Sequence, residues 1–408
     1  MTSTVTVYRS PDLWIRFFGE DAALLSRRDG RRRAVDGLAA RTLRRLVESL
    51  GLSGLERLAR DGAGFAEGER LARALGRQFD ALDASPSPTP QGTVLGSAPA
   101  LYAHAQRERV PLFAMCECTY RCNLRCTHCF ILHKVSAHRP DLVPTEHMLR
   151  LLDELAELGC LEVTLTGGET TLHPDYRALV SAARSLHLVT TLKTNATTFT
   201  RERACEYAAD PAHATEVSLY GATPEVHDAF TATPGSFAKT MRGLVELGRA
   251  GVRCTVFSII WERNAAQVDD IAQLVQDLGH RSVFNDVIYG RLDGDQAPIA
   301  LRATRDARDR LIAQGRLKPF DPLPCVAGRV KVKVAADGAI ASCELFPAGF
   351  GNVWSSGFGA LWRDRGFVGE ADRIVQLSTA HRKDGRPVLT CPAMNRLNTG
   401  RMEGLTAV

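Results

Sequence analysis

The chain has 408 residues, 45% of them apolar and 24% charged, with a formal net charge of +5 at pH 7. This is an ordinary globular composition, long enough for about two to three domains and for a core that needs no disulfides. The charge is too mild to imply a nucleic-acid partner, and there is neither a signal-type N-terminus nor an apolar run of bilayer length, so the expectation is a cytoplasmic protein with no nucleic acid and no membrane among its partners.

The chain opens with VTVYR and LWIRFF, which read as short strands, and AALLS is a candidate third. Helical patterns follow near residues 36–50, 53–61 and 67–82, with Leu43, Val47 and Leu50 at helical spacing in the first. Strands followed by helices predict a small winged-helix-like domain over residues 1–83. Residues 1–110 hold 17 arginines against 13 acidic residues. Arg27, Arg28, Arg31, Arg32 and Arg33 form a local basic run, either a solvated loop or a dock for an acidic partner. The alternating Pro and Ser of ASPSPTPQGT, residues 84–93, continue neither helix nor sheet, and a linker is placed at 84–100.

A core follows over residues 101–315. LFAMCE, LEVTL, VTTLKT, EVSLY, VRCTVFSII and SVFNDVIY read as strands, and helical segments lie between them near 146–158, 174–186, 199–208, 237–250 and 265–278. In the first of these Thr145 is the expected cap, Met148, Leu152, Leu155 and Leu158 line one face, and Gly159 ends the helix. Six strands alternating with helices predict an α/β fold with a parallel sheet, open or curled into a partial barrel. Ligands in such folds sit at the C-terminal strand ends. From residue 320 the rhythm changes. RVKVKVAADGAIASC reads as a hairpin turning at Asp337-Gly338, with short, turn-rich pieces after it, and residues 316–408 are taken as a third, smaller module.

Eleven cysteines, several clustered, point to metal rather than cross-links in a reducing compartment. Cys122, Cys126 and Cys129 are spaced C-x3-C-x2-C. Three thiolates cannot close a tetrahedral zinc site alone, although His128 or a distant residue would complete a zinc knuckle. They can instead hold three irons of a 4Fe–4S cube and leave the fourth open. Starting the frame at Cys118 would put the third ligand at Arg125, so Cys118 falls outside the set. Cys116 and Cys118 alternate in a predicted strand as small buried side chains, and Cys160, Cys205 and Cys254 are assigned to the core.

At this point the sequence resembles the radical SAM (S-adenosylmethionine) superfamily. CNLRCTHC matches its cluster loop, and TGGET, with Gly167, Gly168 and Glu169, matches the motif that binds the methionyl amine. TNAT, with Asn195, ends the third strand. SLYGATPEVHDAFTATPGSF, with Ser218 at the position of a ribose contact, resembles the fourth-strand segment of the peptide-modifying branch. His128 is placed like the residue that packs on adenine, or is a surface imidazole. The resemblance implies a partial (β/α)6 TIM-like barrel in which one electron from the reduced cube cleaves SAM to methionine and a 5′-deoxyadenosyl radical.

The tail PCVAGRVKVKVAADGAIASCELFPAGFGNV resembles the SPASM or twitch α+β extension of that branch, whose cysteines complete auxiliary iron–sulfur clusters. Here Cys325, Cys343 and Cys391 imply at most one such cluster, because the position for a further C-x2-C partner is Met394. Three structural cysteines without metal are the alternative. The N-terminal strands and helices resemble a peptide-recognition element, which binds a leader peptide as an added strand, or a generic winged-helix cap. The whole implies an enzyme that abstracts hydrogen from a ribosomally made precursor peptide, ending in a cross-link, thioether, epimerisation or oxidation. A reducing partner such as flavodoxin or ferredoxin is expected. A dehydrogenase or tailoring enzyme for a small metabolite is the rival within enzymes, and a non-catalytic metal-binding protein the rival outside them. No catalytic acid, base or hydrogen donor is readable.

Overall fold

The computed structural model describes residues 105–136, 143–319, 325–347, 349–379, 381–383 and 386–403, with short N-terminal pieces at 6–9, 13–18, 21–26, 32–35, 40, 43–44 and 47–48. The chain divides into two units, one formed by residues 1–112 and 156–161 and the other by 113–155 and 162–408.

In the first unit, β1 (Thr6–Arg9), β2 (Leu13–Phe18), β3 (Asp21–Ser26) and β4 (Arg32–Val35) form an antiparallel meander in sequential order. β2 does not alternate: Trp14, Ile15, Arg16 and Phe17 are all buried, as in a strand covered on both faces. β4 was not expected. Arg32 and Arg33 stand in it, opposite Leu25 and Leu24, so the basic run is not one loop. A strand is easily missed in RRAV because arginine carries no β-signal, whereas pairing with β3 satisfies its backbone. Leu43 and Val47 are buried as their spacing predicts, while Leu50, the later two helical patterns and the linker lie outside the described residues.

The second unit is built on an eight-stranded sheet. β5 (Phe113–Thr119), β6 (Glu162–Gly167), β7 (Val189–Thr194), β8 (Ala214–Ser218), β9 (Cys254–Ile259) and β10 (Arg281–Asn285) run parallel, each beside the next. All six expected strands are present. The crossovers are the helices Thr145–Glu157, Tyr176–Ser185, Arg201–Ala208, Ser236–Arg249 and Val268–Asp277, within two or three residues of expectation. A further helix, Pro224–Thr231, occupies the segment after β8. Thr145 is itself the first helical residue, and its hydroxyl donates to Asp175 rather than capping. Met148, Leu151, Leu152 and Leu155 are buried, and Gly159, at φ +89°, reverses the chain.

The tail departs from the expected separate module. The hairpin of β11 (Lys331–Val334) and β12 (Ile340–Ala341) turns at Asp337-Gly338, but β11 also pairs parallel with β5, so the hairpin extends the core sheet. The rest of the tail is not merely turns. It contains a 15-residue helix, Arg365–Thr379, which buries Phe367, Ala371, Ile374 and Ser378, and the helix Pro392–Thr399. Gly366 and Gly369 obscure the first in the sequence. A short ribbon of β13 (His381–Lys383) and β14 (Arg386–Val388) lies between them. Among the described residues no helix is long and apolar enough to cross a membrane.

Candidate active site

At the C-terminal ends of β5 to β8 lies a cavity of about 180 Å³, lined among others by Cys122, Cys126, Cys129, His128, Gly167, Gly168, Glu169, Asn195 and Ser218. Every residue expected at the SAM site and its cluster therefore borders one space. Cys118 does not border it; that side chain is buried in β5 with its thiol toward the Cys116 carbonyl.

The cysteine loop leaves β5 and is pinned by the segment that follows β8. The amides of Arg125 and Thr127 donate to the carbonyls of Thr231 and Phe230, at 3.1 and 2.9 Å, where the helix Pro224–Thr231 ends. This explains what the unexpected helix does. Within the loop, the Cys129 amide donates to the Cys126 carbonyl and the Leu124 amide to the Cys122 sulfur. Burial pushes the Cys122 thiol up to about 12, Cys129 to about 11 and Cys126 well above the usual thiol range. Such thiols stay protonated unless a cation takes the proton's place.

The glycines have a sharper role than close approach to a ligand. A Cβ on Gly167 or Gly168 would run into the carbonyl oxygen of Thr119 or Arg121 in the backbone that leads into the cysteine loop. Gly167 also sits at φ +132°. The amides of Gly168 and Glu169 donate to those same carbonyls at 2.7 and 2.8 Å. The end of β6 is thus locked edge-on to the loop, and only glycine leaves room.

Glu169 is 1% exposed, and its carboxylate accepts four hydrogen bonds: from the Thr171 amide and hydroxyl, from the Thr194 hydroxyl at 2.6 Å and from the Asn195 amide at 2.7 Å. Burial raises its pKa, and those four donors offset part of the rise. It ties β6 to the end of β7. Asn195 continues the chain of contacts. Its Nδ2 donates to Asn123 Oδ1, its Oδ1 accepts from the Thr197 amide and hydroxyl, and Asn123 Nδ2 donates to the Thr197 hydroxyl. Asn123, Thr194 and Thr197 were missed in the sequence. Asn123, the polar residue directly after the first cysteine, was the available signal.

His128 stacks on Phe230, ring centres 4.4 Å apart, and meets Tyr220 edge-on at 4.9 Å. Its Nδ1 is buried with no hydrogen-bond partner, and burial lowers its pKa to about 3, so the ring is neutral. A surface imidazole is not what the fold makes of it. At the sheet, Lys193 also lines the cavity and pairs with the buried Glu216 at 2.6 Å, across the β7–β8 register.

In the tail, Cys325, Cys343 and Cys391 all pack against one apolar cluster that includes Ala341, Leu345, Phe346, Ile374, Met394 and Leu397. Met394, at the missing C-x2-C position, is buried there. Cys391 stands at the N-cap position of the helix Pro392–Thr399 without a side-chain capping bond. Among the core assignments, Cys160 and Cys254 are buried, but Cys205 is exposed on its helix. Its neighbours Ala204 and Tyr207 take the inward face.

The donor sets suit clusters better than single ions. Cys122, Cys126 and Cys129 border one cavity, and Cys325, Cys343 and Cys391 pack against one apolar cluster. Three thiols of this kind are a donor set suited to a cube with sulfide corners.

Comparison with known proteins agrees. Residues 116–275 match the family model described as the radical SAM superfamily. Mycofactocin maturase MftC of Mycobacterium tuberculosis (strain CDC 1551 / Oshkosh) is 37% identical over 172 residues, 41% of this chain and 43% of that protein. The antilisterial bacteriocin subtilosin biosynthesis protein AlbA of Bacillus subtilis (strain 168) is 26% identical over 270 residues, 62% of this chain and 60% of that one. The chain thus matches less than two thirds of either relative's length. Streptococcus suis SuiB bound to the precursor peptide SuiA has the same fold, with a TM-score of 0.66 over 98% of this chain and 99% of that one at 15% identity. The cysteine loop, the glycine lock and the strand ends that frame the cavity all lie within residues 116–275, the stretch that matches the radical SAM superfamily model.

Proposed function

We propose that the protein is a radical SAM enzyme that abstracts hydrogen from a ribosomally made precursor peptide. The observation that carries this is the convergence of Cys122, Cys126 and Cys129 with Gly167, Gly168, Glu169, Asn195 and Ser218 around one cavity at the strand ends. The three cysteines would hold the 4Fe–4S cluster, which supplies an electron for cleaving SAM to methionine and a 5′-deoxyadenosyl radical. The chain's own residues do the rest. The β6 turn would hold the methionyl end of SAM, with the Glu169 carboxylate beside it. Asn195 and Ser218 would hold the ribose, and the His128 ring would offer a flat face to the adenine. Phe230, stacked on His128, and Tyr220, edge-on to it, would keep water from that side.

Cys325, Cys343 and Cys391 would hold one auxiliary iron–sulfur cluster. Residues 1–83 would capture the peptide's leader as a strand added to the β1–β4 sheet, and a flavodoxin or ferredoxin would deliver electrons. Support for the peptide comes from relatives named as a maturase and a bacteriocin biosynthesis protein, and from the fold shared with a protein bound to its precursor peptide. The test is co-expression with a precursor peptide encoded nearby, followed by mass spectrometry. A mass change is expected with the intact enzyme, and a sharp loss of modification with SAM cleavage retained when residues 1–83 are removed. Full modification by the truncated enzyme would reject peptide capture by that segment. SAM cleavage with no peptide modified would put a small-metabolite substrate in its place.

A further inference from the structure

Three tail cysteines leave one corner of an auxiliary cube without a ligand. Next to one of them stands a carboxylate with an unused oxygen. Glu344 follows Cys343 directly. Its Oε1 accepts from Lys331 Nζ at 2.8 Å, while its Oε2 is buried and takes no hydrogen bond. A carboxylate oxygen withdrawn from water without a donor is costly, and such groups are normally paired or bound to metal. The two neighbouring lysines fix where Glu344 sits. Lys331 holds the side chain, and Lys333, itself 1% exposed, donates to the Glu344 carbonyl at 3.3 Å.

The carboxylate stands among the same groups as the thiols. Burial and then the Glu344 charge push the Cys343 thiol up. Cys391 is raised by burial, with Glu344 adding to it, and the Tyr289 phenol by burial and then Glu344. Tyr289 packs against the same apolar cluster as the three cysteines. Met394, where a cysteine ligand would otherwise fall, is committed to that cluster's interior.

We propose that Glu344 is the fourth ligand of the auxiliary cluster, its Oε2 binding the iron that Cys325, Cys343 and Cys391 leave open while Lys331 holds Oε1. The proposal rests on the reading that those cysteines carry a cluster. A carboxylate is a harder and weaker donor to iron than a thiolate, so that corner would exchange most readily. Lys331 would act as the outer partner that orients the ligating carboxylate.

The experiment uses the full-length chain with Cys122, Cys126 and Cys129 all replaced by Ala, so that only the tail reports. After anaerobic reconstitution with ferrous iron and sulfide it should hold about four irons. Adding Glu344→Gln should speed loss of one iron under mild ferricyanide oxidation, seen as a three-iron EPR signal, by roughly tenfold or more, and Lys331→Met should speed it less. Glu344→Cys should suppress the loss and change the EPR spectrum of the reduced cluster. If Glu344→Gln fails to fold, the Glu344→Cys spectrum decides alone. Equal oxidation rates and unchanged spectra would overturn the ligand assignment while leaving the cluster in place. No iron in the parent of this series would overturn the cluster itself, and the ligand with it.

Discussion

Gly243 offers a test of how tightly the site is held from behind. It lies in the middle of the helix Ser236–Arg249, where alanine is usually preferred by about 1 kcal/mol. Here the helix rests on the turn after β7. A Cβ at Gly243 would overlap the Ala196 carbonyl oxygen, stand 2.9 Å from its carbonyl carbon and 3.1 Å from its Cβ. The turn has little freedom to retreat. Ala196 is already at φ +58°, and the Thr240 hydroxyl holds the Asn195 carbonyl at 2.9 Å. The overlap is with backbone, so repacking a side chain cannot relieve it. Overpacking of this kind costs about 1–3 kcal/mol, which exceeds the propensity gain at most of that range. Gly243→Ala should therefore lower stability by up to about 2 kcal/mol, a fall of up to about 3 °C in Tm for a unit of this size. Any shift of the turn also moves Asn195, which borders the cavity, and a displacement of about 1 Å near reacting groups can cost up to about a hundredfold in rate. Thermal unfolding, paired with 5′-deoxyadenosine release, reads both effects. A variant more stable than the parent with undiminished SAM cleavage would show that the helix does not brace the turn.

Two further outcomes follow from the same geometry. Cys122→Ala, Cys126→Ala and Cys129→Ala should each abolish reductive SAM cleavage, measured anaerobically with dithionite, whereas Cys118→Ala should keep most of it; the reverse pattern would mean the frame is wrong. His227 is 1% exposed, its Nδ1 accepts from the Tyr220 amide, and burial lowers its pKa to about 4. The unfolded chain therefore takes up the proton first, so stability is complete above about pH 6.5 and falls as the pH drops toward 4, by about 2 kcal/mol at pH 5. His227→Asn, which keeps an acceptor but does not titrate, should flatten the fall of Tm between pH 7 and 5, and an unchanged slope would refute the assignment.

The parallel sheet was legible because its strands are short apolar runs separated by amphipathic helices, and period alone distinguishes the two. The cavity was legible because its residues sit at strand ends, which any parallel fold gathers on one side. What stayed hidden depends on pairing between distant segments. RRAV becomes a strand only beside β3. Lys331–Val334 joins the core only because β5 has a free edge. Asn123 and Thr197 meet across 74 residues, and no local pattern announces such a bond. Thr145 shows the opposite failure: its hydroxyl has a cap's chemistry but finds Asp175 instead.

The pairing of β11 with β5 also bears on how the chain comes off the ribosome. Phe113 meets Lys331 in that ladder, so more than 200 residues must be made after the first strand before its outer edge can close. At about 5–20 residues per second, that edge stands open for roughly 10–40 s. An unpaired edge of FAMCECT, mostly apolar and leading into three thiols, invites pairing with another nascent chain. Long-range closure is also late in folding, because its loop entropy is met before its contacts reward it. Expression yield should therefore respond more to slower growth and chaperone supply than to iron supply alone, because the strand that shields the cysteine loop's root is among the last to arrive.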